Sequence, residues 1–382
     1  MPRKRPAVLM LDDDPDDIRA QAIDLEEFAA VTVRHPQDVK ASDVNRATVI
    51  LIDYKLTNWP ERDAAETVAL QPANGVALAS ILRSYSDAHC TKRPRAFAIH
   101  SGQLAEIAGS HNVRLGEHTL ASTINLEWVF QKGRSYSGTS FRDQMRSLAD
   151  GVHRLPAKWP RAGKLAFRAL SRLLSLSPAI RWRERAMEDV ATCRPPAHSW
   201  SDATDGLAFA RWLLHGVLPY PCFLWDVRYL AARLRVTPES LSALLRSGKR
   251  TADALSEVEY RGIFAGFAGD RWWRSGVEHF IWGWTKGQSS DASVLRAAVE
   301  HHLSRDLDHI EVPRPVVVVD QHFRPSNVQI DISEAVEVRP DYWPTYAEQA
   351  WVSRDTAIDD SEILALVARS DLPLTREGVS QS

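Results

Sequence analysis

Two apolar runs near the start of the chain stop on acid. Val49-Ile50-Leu51-Ile52 leads to Asp53, and Ala7-Val8-Leu9-Met10-Leu11 leads to Asp12, Asp13 and Asp14. Runs of this composition suit strands buried on both faces of a parallel sheet. In open α/β sheets, chemistry sits at the carboxyl ends of such strands. Carboxylates gathered at neighbouring strand ends repel one another unless a cation or a reaction requires them. Asp13 and Asp53 offer oxygen ligands to an octahedral Mg²⁺, with Asp12 acting directly or through water. Two further apolar runs end on polar groups. Ala96-Phe97-Ala98-Ile99 reaches His100-Ser101-Gly102, and Trp128-Val129-Phe130 reaches Gln131-Lys132-Gly133. A hydroxyl and a compact ammonium at those ends can hold the oxygens of an anion. Taken singly, each residue is a turn former, a helix cap or a surface charge. Their recurrence at four strand ends singles them out.

The elements that position them alternate, as in a doubly wound sheet. Strands are expected at 7–11, 31–33, 49–53, 96–99 and 128–130. Helices are expected from Asp16 to Ala30 and from Gly75 through Leu82, and a closing helix capped by Ser140 turns Phe141, Met145 and Leu148 inward.

This set and its chain order resemble the receiver domain of bacterial response regulators over residues 6–152. The Asp-Asp after Leu-Met-Leu, the Ile-Leu-Ile-Asp run and Gly75-Val-Ala-Leu heading the third helix all fit. The resemblance implies a flavodoxin-like doubly wound parallel sheet and a regulatory phosphoacceptor rather than an enzyme with an external substrate. It makes Asp53 the nucleophile that becomes an aspartyl phosphate, and the backbone carbonyl of Lys55 a further Mg²⁺ ligand beside Asp12, Asp13 and Asp53. Bringing a polyanionic donor up to a carboxylate makes charge compensation the dominant requirement. Lys132 then pairs with Asp53 and later with a phosphoryl oxygen, and Ser101 donates to another, pulling its loop inward. The implied partner is a sensor histidine kinase or another phosphodonor, and a homodimer is compatible with the class. Four departures stand out. The 57–74 connection and the stretch from Ser101 to Lys132 are long, and Gly133 replaces the usual proline. The usual switch aromatic gives way to Val129, with Trp128 beside it.

At 382 residues the chain is expected to hold two or three domains. We expect a receiver-like α/β domain over 1–154, a helical output domain over 155–310 and a small β-containing segment over 311–382. No apolar run approaches the ~20 residues that span a bilayer, so no membrane partner is expected. Cys90, Cys193 and Cys222 are few and scattered, which suits a reducing cytoplasm. Charge is uneven: 15 Lys and Arg against 18 Asp and Glu in residues 1–133, 20 against 9 in 134–250, and 12 against 22 in 251–382. The basic middle suits either an anionic partner or the acidic last third.

Beyond residue 155 the pattern turns helical, with helices expected at 164–176, 204–218, 223–234, 238–247, 252–265, 271–284 and 291–304. Residues 193–202 read as a linker. Trp273, Val277, Phe280 and Trp284 fall at helical spacing as core. After Pro313 the pattern becomes β, at 316–319, 328–332 and 335–338, and Asp359 with Glu362 suggests a capping box. Residues 227–246 resemble a helix-turn-helix, with Leu230, Leu234, Val236, Leu241 and Leu244 at its packing spacing. In that reading Thr237, Glu239, Ser240, Ser242 and Arg246 face a groove of duplex DNA, and Lys249 and Arg250 reach phosphates. The competing class is a protein-interaction module that docks a kinase or effector. His301, His302, Asp306 and His309 do not share one helical face, so a metal is not expected there.

Overall fold

The computed structural model describes residues 5–58, 71–102, 104–108, 116–157, 164–196, 206–247 and 253–377. The chain divides into two compact units. One is Met1–Ser175 with Pro195–Gly216 and Arg261–Gly269; the other is Leu176–Arg194 with Val217–Tyr260 and Asp270–Ser382. Residues far along the chain complete the first unit's core. Phe267 packs edge-on to Trp128 with centroids 4.7 Å apart, and Arg211 reaches back to Glu127.

The first unit carries five parallel strands: β1 (Ala7–Leu11), β2 (Ala30–Arg34), β3 (Val49–Asp53), β4 (Ala96–Ser101) and β5 (Trp128–Gln131). Their order is β2-β1-β3-β4-β5. Helices α1 (Arg19–Leu25), α2 (Ala41–Arg46), α3 (Gly75–His89), α4 (Leu104–Ala108), α5 (Glu117–Thr123) and α6 (Phe141–Arg154) flank the sheet. Residue period two divides the strands between two faces. Leu9, Leu11, Ile50, Ile52, Phe97, Ile99 and Val129 pack on residues of α2 to α5. Phe130 meets Phe141 of α6 on the other face. Helix α1 is shorter than the span Asp16 to Ala30, and α2, α4 and α5 are too short to announce themselves by periodicity.

A fully buried carboxylate ties the edge strand to the later chain. Glu127 is 0% exposed. It accepts from Phe97 N at 2.6 Å, from Arg83 at 3.1 Å and from Arg211 at 2.7 Å. Helix Leu207–Arg211 runs on as a π-helix, Trp212–Val217. From that turn, His215 Nε2 donates to the Glu127 carbonyl at 2.8 Å.

Two buried histidines set an acid limit for this unit. Burial, with help from the Lys132 charge, pushes His100 down to about 3. Burial outweighs the nearby Glu127 groups and pushes His215 down to about 4. Both folded values lie below the unfolded one, so the stability they protect is present at neutral pH. It is lost as pH falls from about 6.5 towards 4. Unfolding free energies from urea melts are expected to drop over that window by about 3 kcal/mol for each histidine. The double substitution His100→Phe, His215→Gln is expected to flatten the slope.

The second unit holds a two-stranded sheet, β6 (Leu224–Trp225) with β7 (Trp272–Trp273). It also holds a four-stranded sheet ordered β10-β11-β8-β9, where β8 is Pro315–Val319, β9 Pro325–Asp331, β10 Ala335–Val338 and β11 Ala350–Ser353. Pairing of β6 with β7 corrects two helix expectations. The first helix starts at Val227 after its Asp226 cap, and the second at Arg274. The helix expected over 252–265 is Asp253–Glu257 only. Strand β11 was not foreseen, and Asp360, not Asp359, caps Ser361–Leu364. Trp273 and Val277 are buried, whereas Phe280 and Trp284 are half-buried and stack on one another. Among the described residues, no helix is long and apolar enough to cross a membrane.

Candidate functional site

Parallel pairing carries the four polar strand ends to one edge of the sheet. The backbone holds them there: Asp12 N donates to Arg34 O at 3.3 Å, Tyr54 N to His100 O at 3.1 Å and Lys132 N to Ser101 O at 2.7 Å. A pocket of about 340 Å³ opens at that edge. Asp12, Asp13, Asp14, Asp53, Lys55, Asn58, Ser101, Gly102 and Lys132 are among its lining residues.

Asp53 is 9% exposed. One carboxylate oxygen pairs with the Lys132 ammonium, and the other accepts from Lys55 N at 2.9 Å. The Lys55 ammonium turns to Glu106 at 3.1 Å. Asp13 Oδ2 accepts from Asn58 N at 2.5 Å, so the connection after Asp53 folds back over the acid pair. Asp12 Oδ1 accepts from Asp14 N at 2.8 Å. Burial raises the Asp12 carboxyl to about 6, and the charges of Asp53 and Asp13 push the same way. A buried carboxyl raised in this way beside two further acids is short of positive charge, which a cation would supply. The donors are all oxygen, as Mg²⁺ prefers. Among the described residues, no three of His, Cys, Asp and Glu are close enough to hold a metal as a set.

Gly75 belongs to this site through backbone packing. Asn74 caps α3 by accepting from Ala77 N at 3.0 Å, and Gly75 N donates to Tyr54 O at 2.9 Å. A Cβ on Gly75 would stand 2.2 Å from the Asp53 carbonyl oxygen and 3.0 Å from Ile99 Cδ1. The obstructing atom is sheet backbone and cannot swing aside. Gly75→Ala is expected to cost about 2 kcal/mol in urea unfolding and to displace Asp53. Gly133 has φ +73°, in the left-handed region. Proline, locked near about −65°, could not occupy it.

The helix-turn-helix resemblance has a different outcome. Helices Val227–Leu234 and Pro238–Arg246 do pack about a tight turn, with Arg235 left-handed at φ 57°. Leu230, Leu234, Val236 and Leu241 are fully buried between them. Four of the residues expected to face DNA make hydrogen bonds within the chain. Thr237 caps the second helix by accepting from Ser240 N. Glu239 accepts from Asn327 of β9 at 2.8 Å. Ser240 accepts from Asp308 N, and Ser242 donates to Pro238 O. Arg246 is exposed, and Lys249 and Arg250 lie outside the described residues. His302 stacks on Trp284.

Sequence reasoning missed Asn58, which holds Asp13, and Gly102. Neither carries a side-chain signal, because one acts through its backbone amide and the other lacks a side chain.

No family model matches the chain, and no curated protein sequence matches it. Among solved structures it is similar to the response regulator ChrA of a heme-sensing two-component system. The identity is 12% and the TM-score 0.24, over 66% of this chain and 90% of that one. At that score the likeness carries no argument.

Proposed function

We propose that the first unit is a phosphoacceptor signalling domain of the response-regulator kind, in which Asp53 takes up a phosphoryl group. The observation that carries this reading is the Asp53–Lys132 ion pair, with Asp12, Asp13 and Ser101 around the same pocket. The strand order 2-1-3-4-5 supports it, since flavodoxin-like sheets use that order and place their sites at this edge. In the transfer, an Asp53 oxygen forms a bond to phosphorus as the bond to the leaving group breaks. The electron pair departs with the leaving group. Lys132 moves from the carboxylate to a phosphoryl oxygen, and the Ser101 hydroxyl donates to another. Mg²⁺ held by Asp13 and Asp53, with Asp12 and the Lys55 carbonyl at hand, would neutralise the incoming phosphoryl charge. The phosphate would come from a sensor histidine kinase or a small acyl phosphate.

For the second unit we favour a protein-docking role over duplex DNA. Thr237, Glu239, Ser240 and Ser242 are spent on internal hydrogen bonds, leaving the second helix with little to read bases. The test of phosphoacceptance is intact mass after incubation with acetyl phosphate and Mg²⁺. Wild type is expected to gain one phosphoryl group and Asp53→Ala none. An equal gain in both would sink the reading.

A further inference from the structure

The second unit contains a pocket of about 260 Å³ whose lining includes Trp225, Tyr229, Arg233, Arg235, Glu348 and Trp351. Three features give it a chemical preference. Tyr229 is 7% exposed, and its hydroxyl, shielded from solvent, has no hydrogen-bond partner among the described residues. A buried hydroxyl left unpaired costs free energy, and a polar ligand group would relieve it. Glu348 commits one oxygen to the Trp225 indole N–H at 2.7 Å, leaving the other as an acceptor. Three aromatic side chains on the lining are the surfaces that attract organic cations.

The two arginines do not reverse this preference. Arg233 is neutralised by a two-point pair with Glu278, at 2.6 and 2.8 Å. Arg235 spends an N–H on the Pro313 carbonyl in an exposed bond, where water screens its charge. Burial also pushes the Glu348 carboxyl above its ordinary range, a cost that a bound cation would offset.

We infer that this pocket binds a small organic ammonium compound, its charged nitrogen on Glu348 and Tyr229 and its carbon body against Trp225 and Trp351. The inference stands apart from the Asp53 site and does not depend on phosphorylation.

The test is calorimetric titration of the full chain with phenethylamine, choline and cadaverine. 2-Phenylethanol and 3-phenylpropanoate serve as neutral and anionic controls. At least one amine is expected to bind saturably and both controls to fail. Glu348→Gln keeps an acceptor for Trp225 and is expected to weaken the amine at least about tenfold, the loss of one charge-assisted hydrogen bond. Tyr229→Phe is expected to weaken it several-fold while raising the ligand-free Tm, because the unpaired hydroxyl is gone. That opposite movement separates a binding role from a purely structural one. Failure of all three amines, equal binding of 3-phenylpropanoate, or unchanged affinity in both variants would overturn the inference.

Discussion

Lys132→Ala is expected to slow phosphoryl gain from acetyl phosphate by about 10²–10³-fold, the usual loss when one preorganised charge partner is removed. The size follows from what surrounds Asp53. Lys132 pairs with it directly, whereas the Lys55 ammonium is held by Glu106 and cannot readily substitute. Without Lys132, an approaching phosphate meets Asp12, Asp13 and Asp53 with one fewer cation to offset them. Lys132→Arg should rescue only in part, since a planar guanidinium cannot follow the phosphoryl oxygen as a compact ammonium does. A time course of intact mass, read alongside circular dichroism, distinguishes lost chemistry from lost fold. Wild-type rates in Lys132→Ala would remove the lysine from the proposed transfer.

Glu127→Ala is expected to be the most destabilising single change in the first unit, at about 3–5 kcal/mol in urea unfolding. The carboxylate is fully buried and faces two guanidinium groups and the Phe97 amide. Its removal leaves the Phe97 amide without its acceptor and takes the buried charge partner from both arginines, which keep their bonds to Asn125, and it loosens the tie between β5 and the helix Leu207–Arg211. Arg83 keeps its place over the Phe97 ring, 4.4 Å from the centroid, so the collapse is partial rather than complete. Glu127→Gln, which preserves shape and one acceptor oxygen, should fall between alanine and wild type. A loss under about 1 kcal/mol for Glu127→Ala would mean that the arginines are satisfied by solvent.

What the chain could announce by itself was local and periodic. Mostly apolar runs of three to five residues mark the five strands, and the polar residues that end them are fixed in place by parallel pairing. That is why Asp12, Asp13, Asp53, Ser101 and Lys132 could be placed at strand ends from the sequence, while the roles given to them came from the receiver resemblance. The caps at Ser140, Thr237 and Asn74 obey the same short-range chemistry. Longer-range choices were not legible. Trp272 and Trp273 fit a helix by periodicity, and only pairing with Leu224 and Trp225 makes them a strand.

Position 127 shows the limit most clearly. A glutamate before an apolar run looks like an ordinary solvated charge, because its partners Arg83 and Arg211 lie 44 and 84 residues away. The same holds for residues 237–242, which local spacing offers to DNA and of which Glu239 and Ser240 meet Asn327 and Asp308 in the fold. Secondary structure and strand-end chemistry are set within a few residues, where hydrogen-bond reach and side-chain period suffice. Which charges are buried together, and which polar faces remain available, depends on contacts that only the folded chain creates.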